Sequence, residues 1–264
     1  MYKVTKFPHG TFSWADTMST DADKAKEFYV QLFGWEKEEV PIGEGTTYTM
    51  FKQDGADVGA LSPMPKDMQE QNIPSHWMNY ITVDDVDALV EKVKDNGGTV
   101  LSGPFDVFDN GRMMTIQDPT GATVSLWQAK NSIGAGMVNA PGAMLWNELA
   151  TRDVDKAKDF YSKLLGWEFG VDDDSGYIYI RNNGRMNGGL MEMDEKWGDV
   201  PPHWMVYYNV ADIDAAIKKV EALGGKIHLP KTEAPGVGPF SVVADPAGAV
   251  FTIMQAEQYE AWKE

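Results

Sequence analysis

The sequence contains no cysteine, four histidines, and 23 lysines and arginines against 40 aspartates and glutamates. Without a thiol, disulfides, thiolate metal sites and cysteine nucleophiles are excluded. The formal net charge of −17 repels nucleic-acid phosphates and anionic lipid, which are bound through Lys/Arg clusters. Neither nucleic acid nor membrane is therefore an expected partner. No apolar run reaches the roughly 18 residues of a membrane span, and the opening "MYKVTKFPHG" has no signal-peptide core, so the expected location is cytoplasmic. Gly-rich phosphate loops, nucleophile elbows and zinc-protease helix motifs are also missing, which leaves nucleotide-binding and hydrolase readings without support.

What the sequence does contain is itself, twice. "DADKAKEFYVQLFGWE" matches "DVDKAKDFYSKLLGWE", so that Phe28, Tyr29, Gly34 and Trp35 map to Phe160, Tyr161, Gly166 and Trp167 at an offset of 132. Further on, His76-Trp77-Met78 maps to His203-Trp204-Met205, and Asp118-Pro119 to Asp245-Pro246, at an offset of 127. Between the halves, "KNSIGAGMVNAPGA" is rich in Gly, Pro, Asn and Ser without sustained periodicity and reads as a linker. The expected organisation is a first domain over 1–130, a linker over 131–142 and a second domain over 143–264.

Each half repeats a finer unit. Asp21, Asp85, Asp153 and Asp212 each precede apolar residues at helical spacing, with Gly34, Gly97, Gly166 and Gly224 as stops. A β-prone run comes before each helix, and further Val/Ile/Tyr/Thr-rich runs come after it, separated by turn residues. The unit is strand, helix, three strands, and it occurs four times.

"DADKAKEFYVQLFGW", "DVDKAKDFYSKLLGW" and the endings "DPTGATVSLWQ" and "DPAGAVFTIMQ" together resemble the vicinal oxygen chelate superfamily, the glyoxalase, bleomycin-resistance and dioxygenase proteins. With its two domains in one chain and its "PPHW" segment, the sequence is most similar to a two-domain glyoxalase-like subgroup. The resemblance implies an α+β fold in which four βαβββ modules pair into two glyoxalase-like domains, each with a cupped mixed sheet that holds a ligand.

Metal-dependent members carry His, Gln or Glu at the start of each module-opening strand and Glu near the end of each closing strand. Carried onto this sequence, those positions fall on Trp14, Met78 and Ser125 in the first half and on Trp146, Met205 and Thr252 in the second. None of these is a good ligand for a hard or borderline divalent ion. No cofactor is expected, divalent metal included. A register slip of two residues keeps the same strand face and would bring in Asp16 with His76, or Glu148 with His203, but each pair still lacks a third ligand. His76 and His203 read as structural histidines where a strand begins, or as rim residues that touch a ligand.

If Trp14 faces the cup, alternation places Asp16, Met78, Tyr80, Ser125 and Trp127 there too, and in the second half Trp146, Glu148, Met205, Tyr207 and Thr252. Aromatic and Met surfaces with one carboxylate each suit a small, largely apolar organic molecule. An inward carboxylate is costly unless partnered or protonated. Asp16 and Glu148 are therefore candidate acid/base groups, or structural carboxylates satisfied by a nearby Arg or Tyr. Arg112 and Arg185 would bring positive charge to a cup mouth. Three readings remain open: a metal-independent binding protein, a glyoxalase-like lyase, isomerase or hydroxylase/dioxygenase-type enzyme, and a non-catalytic structural or regulatory protein. Since the tandem repeat supplies a pairing within one chain, a monomer is expected ahead of a homodimer.

Overall fold

The structure is a computed structural model that describes residues 3–43 and 45–258; the last six residues of the expected second domain, 259–264, lie outside the described residues. The first half runs β1 (Thr11–Ser19), α1 (Ala22–Phe33), β2 (Glu36–Gly43), β3 (Thr46–Gln53), β4 (Ala56–Pro63), a short α2 (Lys66–Glu70), β5 (His76–Thr82), α3 (Val90–Asp95), β6 (Thr99–Val107), β7 (Gly111–Gln117) and β8 (Thr123–Ala129). The second half runs β9 (Met144–Thr151), α4 (Val154–Leu165), β10 (Glu168–Val171), β11 (Ile178–Asn182), β12 (Arg185–Glu192), β13 (His203–Asn209), α5 (Ile213–Ala222), β14 (Lys226–Ala234), β15 (Gly238–Ala244) and β16 (Val250–Met254). Each half forms one eight-stranded mixed sheet, ordered β2-β3-β4-β1-β5-β8-β7-β6 and β10-β11-β12-β9-β13-β16-β15-β14. Two βαβββ modules thus meet in each sheet through their opening strands, β1 against β5 and β9 against β13, both antiparallel.

The helices start where the sequence signals them. Asp21 and Asp153 accept from the backbone N–H groups of Lys24 and Lys156, and Gly34 and Gly166 end the helices at φ of 75° and 73°, a left-handed conformation that favours glycine. The helix expected after Asp85 differs. Asp85 does accept from Ala88 N, but the chain first makes a 3-10 turn over Asp87–Leu89 and becomes α-helical only at Val90. Val86, Val90 and Val93 are β-branched, which weakens the helical preference of so short a segment. Among the described residues no helix is long and apolar enough to cross a membrane.

The two halves share their cores. One cluster joins Phe28, Tyr29, Phe51 and Leu61 to Val206, Tyr208, Ile213 and Phe251; the other joins Ile81, Val93 and Met114 to Leu149, Phe160, Tyr161 and Trp167. The first module therefore packs on the fourth, and the second on the third. Polar links repeat the exchange. Tyr29 donates to Asp245 at 2.9 Å and accepts from Trp77 Nε1 at 3.0 Å, while Tyr161 donates to Asp118 at 3.0 Å and accepts from Trp204 Nε1 at 2.8 Å. Trp35 Nε1 donates to Gly142 O and Trp167 Nε1 to Gly10 O, both at 2.8 Å. The segment 131–142 is no free tether: Ala135, Met137, Val138 and Ala140 are buried in the first cluster, because its small and apolar side chains fit where the halves meet.

Candidate functional site

Strand alternation gives β1 two faces. Ala15 and Thr17 turn towards the helices and the other half, while Trp14, Asp16 and Met18 turn the other way. The ladder brings the neighbours into line: Trp14 lies opposite Tyr80, Asp16 opposite Met78 and Met18 opposite His76 on β5. Tyr80 in turn lies beside Ser125 on β8, and Trp127 lies opposite Met113 on β7. Met18, Met50, Met78, Tyr80 and Met113 are half-buried, while Trp14 is buried with Tyr48, Met50 and Tyr80 packed against its cluster, so this face is packed around Trp14 and partly exposed along its methionines. A separate groove between α1 and β3, lined by Asp21, Lys26, Thr47 and Thr49, lies on the helix side, away from Asp16.

At the centre stands a carboxylate held by phenols. Tyr48 OH and Tyr80 OH both donate to Asp16 Oδ2, at 2.8 and 3.0 Å, and Tyr48 OH accepts from Trp14 Nε1 at 3.2 Å. Burial pushes the Asp16 carboxyl up to about 6, against the two phenol hydrogen bonds and nearby His76, which pull it down. Burial, and then the adjacent carboxylate, push Tyr48 and Tyr80 well above the ordinary phenol range. The phenols therefore stay protonated and orient their hydrogens on the acid.

The second half repeats the arrangement with different parts. Tyr177 OH donates to Glu148 Oε2 at 2.6 Å and accepts from Trp146 Nε1 at 3.0 Å; Tyr207 OH donates to Glu148 Oε1 at 2.8 Å. Glu148 is 7% exposed, and burial raises its pKa against the pull of Tyr177 and Tyr207. Trp146, Met205 and Met191 are half-buried around it, while Tyr207 lies alongside buried Thr252. Gly189 lies next to Glu148 on β12, and a Cβ built there would overlap the Tyr177 hydroxyl. Gly189→Ala is thus expected to push Tyr177 off Glu148 and to lower stability by about 1–2 kcal/mol. Denaturant unfolding beside Tyr177→Phe checks this; a full additional loss in the double variant would sink it, because the two changes are expected to overlap.

Each histidine closes the turn before its strand. His76 Nδ1 lies 2.8 Å from Pro74 O and His203 Nδ1 lies 2.8 Å from Pro201 O. A carbonyl cannot donate, so Nδ1 carries the hydrogen of each contact. Among the described residues no three His, Asp or Glu side chains are grouped to hold a metal ion. The ladder positions around Asp16 and Glu148 carry Trp, Met, Ser and Thr, and Asp16 Oδ2 and both Glu148 oxygens already receive phenol hydrogens. This donor set does not fit a divalent ion. Arg112 does not reach the Asp16 face: it grips Asp87 at 2.7 and 2.9 Å and Asp106 at 3.2 Å on the helix side. Trp127 is tied back through Nε1 to Ser132 O at 3.0 Å and lies buried against Gly111.

Sequence reasoning overlooked Tyr48 and Tyr177. A signal for them exists. The hairpins Asp54-Gly55 and Asn183-Gly184 align at an offset of 129, since 183 − 54 = 129, and the same offset pairs Tyr48 with Tyr177. The insertions that shift the register from 132 to 129 fall between helix and hairpin, which is why matching at the fixed offsets missed the pair.

The Glyoxalase/Bleomycin resistance protein/Dioxygenase superfamily matches residues 11–126 and 143–253. The chain is 41% identical, over 97% of its length and 98% of the relative's, to the Mycobacterium tuberculosis protein named "Putative glyoxylase CFP32". It is 31% identical, over 97% of its length and 96% of the relative's, to the anthracycline biosynthesis protein DauV of a Streptomyces species. The fold resembles the Mn(II)-bound glyoxalase of Novosphingobium aromaticivorans, with a TM-score of 0.66, 18% identity, and coverage of 96% of this chain and 84% of that one. It also resembles the 2,3-dioxygenase LapB of Pseudomonas, with a TM-score of 0.65, 13% identity, and coverage of 97% and 96%. With both halves matched and the full length shared, the chain belongs to the glyoxalase/bleomycin-resistance/dioxygenase superfamily.

Proposed function

We propose that the protein binds a flat, largely apolar organic molecule carrying at least one hydroxyl, held against Trp and Met side chains and addressed by a tyrosine-held carboxylate, without a divalent metal ligated by the protein. The observation that carries this reading is the pair of Trp-Tyr-carboxylate-Tyr groups, each on an aromatic and methionine face whose methionines are half-buried. Such faces supply stacking and soft contacts, while a carboxylate gives one polar group for orientation. A relative whose name places it in anthracycline biosynthesis points to the same chemical class, a hydroxylated polycyclic aromatic.

The test is a titration with hydroxylated naphthalenes and anthraquinones, read by quenching of tryptophan fluorescence before and after chelator treatment. Saturable binding that survives the chelator is expected. Binding that needs Mn, Fe, Ni or Zn would overturn the metal-free part. Indifference to every aromatic probe would overturn the whole reading.

A second reading is favoured by one observation. A carboxyl poised at about 6 matches the requirement that a general base operate near its own pKa, so Asp16 is suited to take a proton from an acidic O–H or C–H of the bound molecule. Turnover of a bound probe that is lost in Asp16→Asn while the probe still binds would establish it.

A further inference from the structure

The two faces look alike in sequence, but their carboxylates differ in what they leave open. In the first half both phenols converge on one oxygen, Asp16 Oδ2. Among the described residues Oδ1 has no protein donor and is not one of the fully buried unpartnered oxygens, so it keeps some exposure on this face. In the second half the phenols divide, Tyr177 to Oε2 and Tyr207 to Oε1. Glu148 lies deeper there, at 7% exposure, and Tyr207 is also buried at 7%.

Local sequence explains the divergence. Position 60 is alanine on β4, whereas its counterpart on β12 is Gly189, which lets the Tyr177 ring lie over the strand and close on Glu148. Tyr177 sits at the end of a tight turn, with Asp172 N bonded to Tyr177 O at 2.8 Å. Glu148 thus acts as a strut that ties this turn to β13. The longer glutamate side chain spans the gap between the two phenols, and the shorter aspartate does not.

We infer that the halves have divided the work: only the first half, through Asp16 Oδ1, receives a hydroxyl or comparable neutral hydrogen-bond donor of the ligand, while Glu148 is a structural tie and the second face discriminates by apolar shape alone. This rests on the proposed binding of flat hydroxylated aromatics and states which of the two sites reads the hydroxyl. A hydrogen bond to this carboxylate oxygen, once the ligand itself covers it from water, is worth roughly a tenfold or greater preference for the hydroxylated molecule.

The experiment uses 2-naphthol and naphthalene as matched probes on the full, 15N-labelled chain, following the indole N–H resonances of Trp14 and Trp146, assigned with Trp14→Phe and Trp146→Phe. The expected result is a preference for 2-naphthol at Trp14 of roughly tenfold or more, equal response to both probes at Trp146, and loss of the preference in Asp16→Asn. That variant keeps a carbonyl oxygen to accept from Tyr48 and Tyr80, so its fold is retained, and circular dichroism checks this. A 2-naphthol preference at Trp146, or one at Trp14 that persists in Asp16→Asn, would overturn the inference while leaving the binding of flat aromatics intact. Silence of both indoles towards both probes would overturn that binding, and the inference with it.

Discussion

Replacing Asp118 by alanine is expected to cost about 3–5 kcal/mol of stability, enough to remove a large part of an ordinary domain's margin. Asp118 Oδ1 accepts from the N–H groups of Thr120, Gly121 and Ala122 and from the Thr120 hydroxyl, at 2.7–3.1 Å, and its Oδ2 takes the Tyr161 hydroxyl from the other half. Alanine would leave the buried Ala122 N–H and Tyr161 hydroxyl without their acceptor and strip the turn of its side-chain bonds, with only Gly121 N keeping the Asp118 backbone carbonyl. Asparagine would keep one carbonyl for the turn but present an amide to Tyr161, so Asp118→Asn is expected to fall between the two. Chemical denaturation of the three proteins gives the order. A loss under about 1 kcal/mol for Asp118→Ala would mean that water replaces the carboxylate and that the turn is not fixed from its side chain.

Asp16→Asn is expected to act in the opposite direction and to stabilise the protein above neutral pH. The Asp16 carboxyl sits at about 6 in the folded chain against an ordinary 3.8. Its contribution to stability is therefore fully present below 3.8 and is lost as pH rises through about 6. Taking roughly 1.4 kcal/mol for each pH unit between those values, the loss approaches about 3 kcal/mol at about pH 8 as an upper bound. Asparagine carries no such cost. The difference between variant and parent should be small at about pH 4, grow through about pH 5 and 6, and level off above about pH 7. The groups facing Asp16 are Tyr48 and Tyr80, which stay protonated throughout, and His76, whose charge lowers the carboxyl pKa. A pH-independent difference between the two unfolding curves would mean that Asp16 is solvated and not held dry.

Much of the fold was readable because its signals are local. Asp caps, glycine stops and the i, i+3, i+4 spacing lie within single helices, and the two halves corroborate each other. The periodicity after Asp85 implies a regular helix, yet the segment opens as a 3-10 turn, since periodicity alone does not register how weakly a valine-rich segment prefers the α conformation. The site divides in the same way. Asp16, Tyr80, Glu148 and Tyr207 follow from alternation along the central strand pairs. Tyr48 comes from a strand two positions away in the sheet, and Tyr177 from the turn that precedes β11, so only the register across hairpins brings them in. The composition of 131–142 indicated a linker, but composition does not say whether a flexible-looking stretch is buried; that depends on Trp35 and Gln53, which bond to Gly142 and Pro141.

The crossed tryptophans also bear on how this chain comes off the ribosome. When the first half has been synthesised, Trp35 has no Gly142 to bond, Tyr29 has no Asp245, and the back of its sheet faces water where Phe251 and Val206 will lie. Neither half can complete a core before the other arrives, so folding waits for the last strands, β15 and β16, to be translated. The nascent first half is a sticky, incomplete object for that interval. Severed halves made together should recover one another as complementing fragments, while either made alone should depend on chaperones or precipitate.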